Sequence, residues 1–468
     1  MKRLIYSLII LATMSACHTD KGTDTPQSLS GMIQTDVPER PAGQEDMIAF
    51  AAPKLATVRV GIIGVGMRGP TFVQHFAVIP GVEVKAIADL NEASVIKANK
   101  ILTDKGRPEA ELYFGNEEAW KKLVERDDID LVCIATNWQT HHEMAKYAME
   151  HGKHVAVEVP GATTLEDIWD LINTSERTRK HCMMLENCVY DFFELTILNM
   201  AQKGLLGEIL YAEGGYIHQL EAFWDHYDRD WRMEFNRHHR GDVYPTHGMG
   251  PACQILNIHR GDKMNYLVSM DSDPVTIPEF LKNDRNEDVT DFQNGQHTLT
   301  LIRTEKGKTI EIHHDVATAR PYSRQYNVAG TKGYASKYPS PMLALDASSV
   351  DKSIVPNHED LSAHSWLSDA EREKVLTQNK PRLLTELEKI AKENGGHGGM
   401  DFIMNYRLIF CLQHGLPLDM DVYDLAEWSC IGPLSAISLE HGSMPVAVPD
   451  FTRGGWNKLD GYKHHFAE

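Results

Sequence analysis

The 468-residue chain is 42% hydrophobic and 24% charged, a composition ordinary for a soluble enzyme of one or two compact units. Its 66 acidic residues against 47 basic ones leave a formal charge of -19, which argues against a nucleic-acid partner and leaves no basic stripe for an anionic membrane. Of seven cysteines, Cys133, Cys182, Cys188, Cys253, Cys411 and Cys430 lie in mostly apolar settings without a CxxC pair, so buried free thiols are expected rather than disulfides.

At the N-terminus, Lys2 and Arg3 precede an apolar core from Leu4 to Thr13 and the small-residue run Met14-Ser15-Ala16-Cys17. That core is shorter than the ~20 residues that span a bilayer, so the segment reads as an export signal rather than an anchor helix. It resembles a bacterial lipoprotein signal, with Met14 where leucine is usual. The resemblance implies lipidation of Cys17, with palmitate, and an exported protein anchored to the cell membrane or outer membrane. Residues 18–53 are rich in Thr, Asp, Ser, Gln, Gly and Pro without sustained periodicity and are expected to be a flexible tether. The remaining stretch of about 415 residues suggests two domains, divided here into 54–187 and 188–468.

The first domain opens on Val58 to Ile63, a short β-branched apolar run that predicts a strand buried on both faces of a parallel sheet. Gly64, Gly66 and Gly69 follow at G-x-G-x-x-G spacing. In that context the first glycine permits a tight turn, the second lets backbone approach a pyrophosphate, and the third lets the next helix pack closely. A helix is expected from Thr71 to Val78 and a second strand from Val82 to Ala88. Asp89 then lies about twenty residues past the last glycine, where a carboxylate accepts from both adenosine ribose hydroxyls, which favours NAD over NADP. It could equally cap the helix that starts near Glu92. Further helices are expected at Ala93 to Leu102 and Glu118 to Val124, with buried strands at Asp130 to Ala135 and His154 to Val157. The segment Thr136-Asn137-Trp138-Gln139-Thr140-His141-His142 opens a helix at the carboxyl edge of the sheet, where ligands bind in doubly wound folds. An exported dehydrogenase has no nicotinamide pool to draw on, so its cofactor should stay bound and regain its redox state within each turnover.

In the second domain, Ile209 to Ile217, Gln296 to Arg303 and Thr309 to Val316 alternate as strands of an open, mostly antiparallel sheet. Asp369 to Lys392 and Phe402 to Leu412 read as helices that pack back onto the first domain. His238-His239 and His313-His314 are doublets whose side chains diverge in extended chain, so no metal site is expected. His397 and Asp401 either reach the pocket or cap the helix starting near Met400.

The glycine turn, Asp89, the Thr136 to His142 segment and Glu158-Val159-Pro160 occur in the order and spacing of the glucose-fructose oxidoreductase and inositol dehydrogenase superfamily. Two departures stand out: Val159 replaces the usual lysine, and Val243 replaces the aspartate usually found four residues before the family histidine, His247. The rest resembles glycoside hydrolase family 109, NAD-dependent α-N-acetylgalactosaminidases. The resemblance rests on GVGMRG, ENCVYDFFE from Glu186, GGYIHQL from Gly214, HRGDVYPTHGMGP from His239, RPYSR from Arg320 and GHGGMDF from Gly396. It implies NAD contacts at Gly64, Gly66, Met67, Arg68, Gly69, Asp89, Trp138, Gln139, Thr140, His141, Glu158, Val159 and Asn187, with His141 preferred over His142. A sugar pocket would be lined by Tyr216, Arg232, Tyr244, Pro245, Thr246, His247 and Tyr322.

The reaction implied by this resemblance oxidises carbon 3 of a terminal α-linked N-acetylgalactosamine, removes the acidified proton on carbon 2 and expels the aglycone. Water then adds and the hydride returns, so NAD is regenerated. NAD-dependent glycosidases are exceptions to the usual two-carboxylate scheme. His247 is assigned general acid/base duty, and Tyr244 and Tyr322 donate to the developing oxyanion or exchange protons. The partner would be a glycan or glycoconjugate, and a homo-oligomer is compatible with the sequence. The competing reading is an exported NAD(P)-dependent sugar oxidoreductase.

Overall fold

The computed structural model describes residues 31–224, 231–355 and 363–467, so the signal run and Cys17 lie outside the described residues. Six short strands, β1 (Val58–Ile63), β2 (Val82–Ala88), β3 (Glu111–Tyr113), β4 (Leu131–Ile134), β5 (His154–Val157) and β6 (Cys182–Met184), form one sheet in the order β3-β2-β1-β4-β5-β6. Every pairing is parallel. Helices cover both faces, which is why every residue of β4 and β5 is buried, all of them apolar except His154 at the start of β5. The strand order reverses between β1 and β4, and the crevice above that point is where doubly wound sheets bind ligands.

The second domain is built on β7 (Ile209–Ile217), β8 (Met264–Asp271), β9 (Thr298–Thr304), β10 (Thr309–Asp315), β11 (Asn327–Gly330), β12 (Gly333–Ser336), β13 (Met342–Leu345) and β14 (Val446–Ala447). They order as β13-β12-β11-β7-β10-β9-β8-β14. The β7 and β10 pair runs parallel and the others antiparallel, so the sheet is mixed, mostly antiparallel. The helix Thr246–Leu256 lies directly on β7. A Cβ added at Gly248 would sit 2.5 Å from the Gly215 nitrogen, and one at Gly214 would sit 2.6 Å from Gly248 Cα, so glycine on both sides permits this approach.

Two expectations are corrected. The run Asp369 to Lys392 is two helices, Asp369–Gln378 and Arg382–Asn394, because Pro381 cannot continue the first and instead serves as the N-cap of the second. The described part of the expected tether is an ordered strap, not a free linker. Ile33 bridges to Val446, the Met47 N–H donates to the Tyr423 hydroxyl at 3.1 Å, and Arg40 pairs with Glu176 at 3.0 Å. Composition missed this because long-range partners hold the strap. The C-terminal helices do return to the first domain: on Met400–His414, Phe402 meets the His75 ring edge at 5.3 Å and Asn405 bonds His75 at 2.9 Å. All six cysteines among the described residues are buried and free.

Glu176 is the fully buried anchor of the strap, accepting from Arg40, Arg453 and the Tyr423 hydroxyl. Removing one partner of such a network strands the others, so Glu176→Ala should cost about 3–5 kcal/mol in thermal unfolding. It should also open the Gly31 to Pro53 segment to limited proteolysis, and an unchanged cleavage pattern would show that the strap is held by something else.

Candidate active site

The glycine turn is set by sterics. Gly64 adopts φ +86°, and a Cβ there would strike the Ala135 carbonyl at 2.6 Å. A Cβ on Gly69, the first residue of the helix Gly69–Phe76, would fall 2.0 Å from the Gly64 oxygen, so only glycine lets strand and helix approach this closely. Gly66 is different: a Cβ there would meet no atom within 4 Å, because its free side faces the crevice. This is the cradle a pyrophosphate needs. Asp89 borders the same crevice, accepting from the Val65 N–H at 2.7 Å and the Asn91 N–H at 2.9 Å, while Asn91 caps the following helix. Its carboxylate is thereby fixed at the β2 edge with lone pairs to spare for ribose hydroxyls. These residues fit a dinucleotide.

The crevice encloses about 1130 Å³, beyond the roughly 300–1,000 Å³ typical of one-ligand pockets, so a cofactor and a second molecule fit together. Its middle is charged. Arg68 donates to Glu158 at 3.1 Å and to Asp401 at 3.0 Å, and Asn187 donates to Asp401 at 2.6 Å. Burial raises the Glu158 carboxyl, opposed by Arg68. Burial would raise the Asp401 carboxyl too, but His397, Arg68 and Asn187 hold it far below the usual range. His141 is buried with its ring nitrogens 2.8 Å from the Pro160 carbonyl and 3.1 Å from the Thr136 carbonyl; burial favours the neutral ring, which donates to one of the two and packs against the other between the turn and the end of β5. His142 instead pairs with Asp167 and Asp170 and does not line the crevice.

Beyond this lies an aromatic chamber. Trp138 stacks on Tyr244 with ring centroids 5.1 Å apart, and the Arg232 guanidinium sits 4.7 Å from the Trp138 ring and 4.9 Å from that of Tyr244. Tyr216 on β7 approaches Tyr244 at 4.8 Å and His247 at 5.7 Å. His247 occupies the first turn of Thr246–Leu256, and its Nδ1 lies 2.8 Å from Glu186 Oε1. A Cβ at Gly250, one turn on, would come within 2.8 Å of the Glu186 stem, so the glycine makes room for the carboxylate. Burial and the nearby Arg324 charge push His247 down to about 4 against the pull of Glu186. Burial alone would raise Glu186, yet His247 and Arg324 together hold it below its ordinary value. Glu186 is therefore ionised, His247 Nδ1 carries the proton, and Nε2 is left as an acceptor.

Several expected residues stand elsewhere. Gln139 is exposed and does not line the crevice, because the helix Trp138–Glu150 turns residues 138, 141 and 144 inward and leaves 139 outside. Gly69, Pro245 and Thr246 support the walls from behind without lining them. Asp242 does not replace the aspartate absent at Val243; buried, it accepts from the Tyr244 N–H at 3.2 Å and is raised to about 7 by that burial. His397 lines the crevice, whereas Asp401 sits behind it at the start of Met400–His414. Sequence reading assigned no role to Glu186 or Arg324, although both lie in the ENCVY and RPYSR motifs. Arg324 donates to the Tyr322 hydroxyl and contacts the Cys188 sulfur. Glu186, Cys188 and His247 group three potential metal-ligand atoms within 4.8 Å, but Arg324 already supplies positive charge there.

The turn, the strand order and the charged crevice define an NAD-binding enzyme of the two-domain oxidoreductase fold. A profile for the oxidoreductase family, NAD-binding Rossmann fold, matches residues 58–186, and one for the glycosyl hydrolase 109 C-terminal domain matches residues 190–458. The glycosyl hydrolase family 109 protein 1 of Bacteroides thetaiotaomicron is 57% identical over 468 residues, covering 100% of both chains. That of Bacteroides fragilis (strain YCH46) is 60% identical over 436 residues, 93% of this chain and 94% of its own. A solved levoglucosan dehydrogenase in complex with NADH and levoglucosan aligns at TM-score 0.62 and 17% identity, covering 84% of this chain and 100% of its own; that likeness concerns the fold. The chain belongs to glycosyl hydrolase family 109, and its cofactor is NAD.

The glycines separate structural from cofactor roles. Gly66→Ala should leave the NAD-free chain within about 0.5 kcal/mol of the parent while weakening NAD binding, since only the cofactor side is filled. Gly69→Ala should lower stability by about 1–3 kcal/mol with or without NAD. Thermal unfolding of the NAD-free and NAD-loaded chains reads both effects, and equal behaviour of the two variants would refute the assignment.

Proposed function

We propose that the enzyme hydrolyses terminal α-linked N-acetylgalactosamine by NAD-dependent oxidation, elimination and water addition, releasing the aglycone without net redox change. The observation that carries this reading is the His247–Glu186 pair at the inner end of the crevice, a neutral imidazole backed by an ionised carboxylate. NAD, when bound, supplies a reversible hydride acceptor for carbon 3 of the sugar. His247 Nε2 takes the proton from carbon 2, and Glu186 steadies the imidazolium that forms. Tyr322, held by Arg324, donates to the oxygen at carbon 3, and Tyr244 and Tyr216 wall the ring plane. The Arg232 guanidinium, stacked among Trp138, Trp231 and Tyr244, presents a cation to sugar hydroxyls or the acetamido carbonyl. Val159 in the lysine position removes a charge that an ordinary alcohol dehydrogenase of this fold uses, which favours the glycosidase over the oxidoreductase. We also propose that Cys17 is lipidated and anchors the exported chain to a membrane; Cys17→Ala should move the protein from the membrane to the soluble fraction.

The reading is tested with p-nitrophenyl α-N-acetylgalactosaminide in deuterated water without added NAD. Cleavage with deuterium at carbon 2 of the product is expected, and His247→Ala should lower turnover by about 10²–10⁴-fold. Hydride transfer from a free sugar without glycoside cleavage would instead make the chain an oxidoreductase. Because neutral His247 persists down to about pH 4, kcat/KM should hold steady as pH falls past 6.5 and drop only on approach to 4. An acid limb centred on the ordinary histidine value would contradict the role given to the buried pair.

A further inference from the structure

Five consecutive residues before the helix Met400–His414 have left-handed φ: Gly395 (73°), Gly396 (79°), His397 (45°), Gly398 (76°) and Gly399 (113°). Such a run is improbable for L-residues unless the surrounding structure demands it, and His397 bears the cost as the one residue in it with a side chain. The demand is visible in what the loop delivers. His397 Nδ1 lies 2.9 Å from Asp401 Oδ2, 3.3 Å from Asn187 Nδ2 and 3.5 Å from Arg68 Nη1. Asp401, fully buried, holds Arg68 at 3.0 Å and Asn187 at 2.6 Å. A Cβ at Gly396 would strike Asp401 Cβ at 2.7 Å, and one at Gly399 would strike the Ala391 backbone at 2.9 Å, so the loop is folded tightly onto the carboxylate.

Arg68 lies within the glycine turn, between Gly66 and Gly69, and Glu158 directly follows β5 at the same crevice. Asp401 and His397 come from the other domain. The two domains are therefore fastened across the middle of the NAD crevice by one guanidinium between two carboxylates.

We propose that the loop Gly395 to Gly399, with Asp401, is a clasp that retains NAD by tying the C-terminal domain to the glycine turn. Moving the turn away from the loop to let the cofactor out breaks the Arg68 and Asn187 hydrogen bonds to Asp401 at once. The inference concerns cofactor retention alone and stands whether or not the glycosidase reading holds.

The test is the NAD dissociation rate of the full chain, loaded with NAD, desalted and chased with excess etheno-NAD, followed by nucleotide fluorescence and chromatography of the released cofactor. The parent chain should keep its NAD through desalting, and Asp401→Asn should speed release by about tenfold or more through loss of the charge-assisted bond. Because Asp401 is buried and its variant could fold poorly, Gly398→Ala gives a second readout. A Cβ there meets no atom within 4 Å, so it opposes only the left-handed backbone, and release should again quicken. Gly106→Ala, with φ 70° and equally open space outside the crevice, is the control and should leave the rate alone. Folded Asp401→Asn or Gly398→Ala chains that release NAD at the parent rate would overturn the proposal, as would a parent chain that loses NAD on desalting.

Discussion

The approach of two backbones sets the rest of the site. Where the helix Thr246–Leu256 meets β7, Gly248 faces Gly214 and Gly215 with room for no side chain between them. The helix consequently rests on the sheet rather than on a layer of side chains, and its first turn carries His247 to the crevice beside Tyr216. One turn further, Gly250 leaves space for the stem of Glu186, and the carboxylate reaches His247. A methyl group at any of these positions would push the helix outward and separate the imidazole from its carboxylate by more than a hydrogen bond tolerates. The placement of His247 against Glu186 therefore rests on packing at glycines several residues away.

Electrostatics then decides what the packed groups can do. Glu186, His247 and Arg324 are all buried, and burial by itself favours neutral forms. The outcome is a carboxylate and a guanidinium that compensate one another, with a neutral histidine hydrogen-bonded to the carboxylate. The same compensation recurs in the middle of the crevice, where Arg68 balances Glu158 and Asp401. Neither cluster leaves an uncompensated cation, so a negatively charged dinucleotide meets backbone N–H groups at the turn instead.

Legibility in the sequence follows the range of the forces. β1, the glycine turn, β2 and Asp89 are local: apolar run, turn sterics and a carboxylate at fixed distance can be read from neighbours. The strap is opposite in kind, since Arg40 is ordered by Glu176, Arg453 and Tyr423, all distant in the chain, and its polar composition resembles that of a tether. The parallel pairing of β7 with β10 is likewise invisible to alternation, which reports faces but not partners. Glu186 and Arg324 lay inside recognisable motifs, yet their roles depend on one another and on His247, whose helix starts about 60 residues beyond Glu186, and only the fold brings the three together. Gln139 stands outside the crevice for a simpler reason, that helical periodicity turns it away from its neighbours Trp138 and His141.

A base with a low basicity poses a question for any proton abstraction, because a neutral imidazole depressed to about 4 is a weak acceptor in its ground state. The geometry answers it. Much of that depression comes from desolvation, a penalty on the charged ring, and Glu186 at 2.8 Å offsets it most strongly when the ring becomes charged. Under the proposed reaction, the proton leaves carbon 2 as negative charge builds on the oxygen at carbon 3, and Arg324 stands behind Tyr322 on that side. The proton thus moves toward a carboxylate while the electrons move toward a guanidinium.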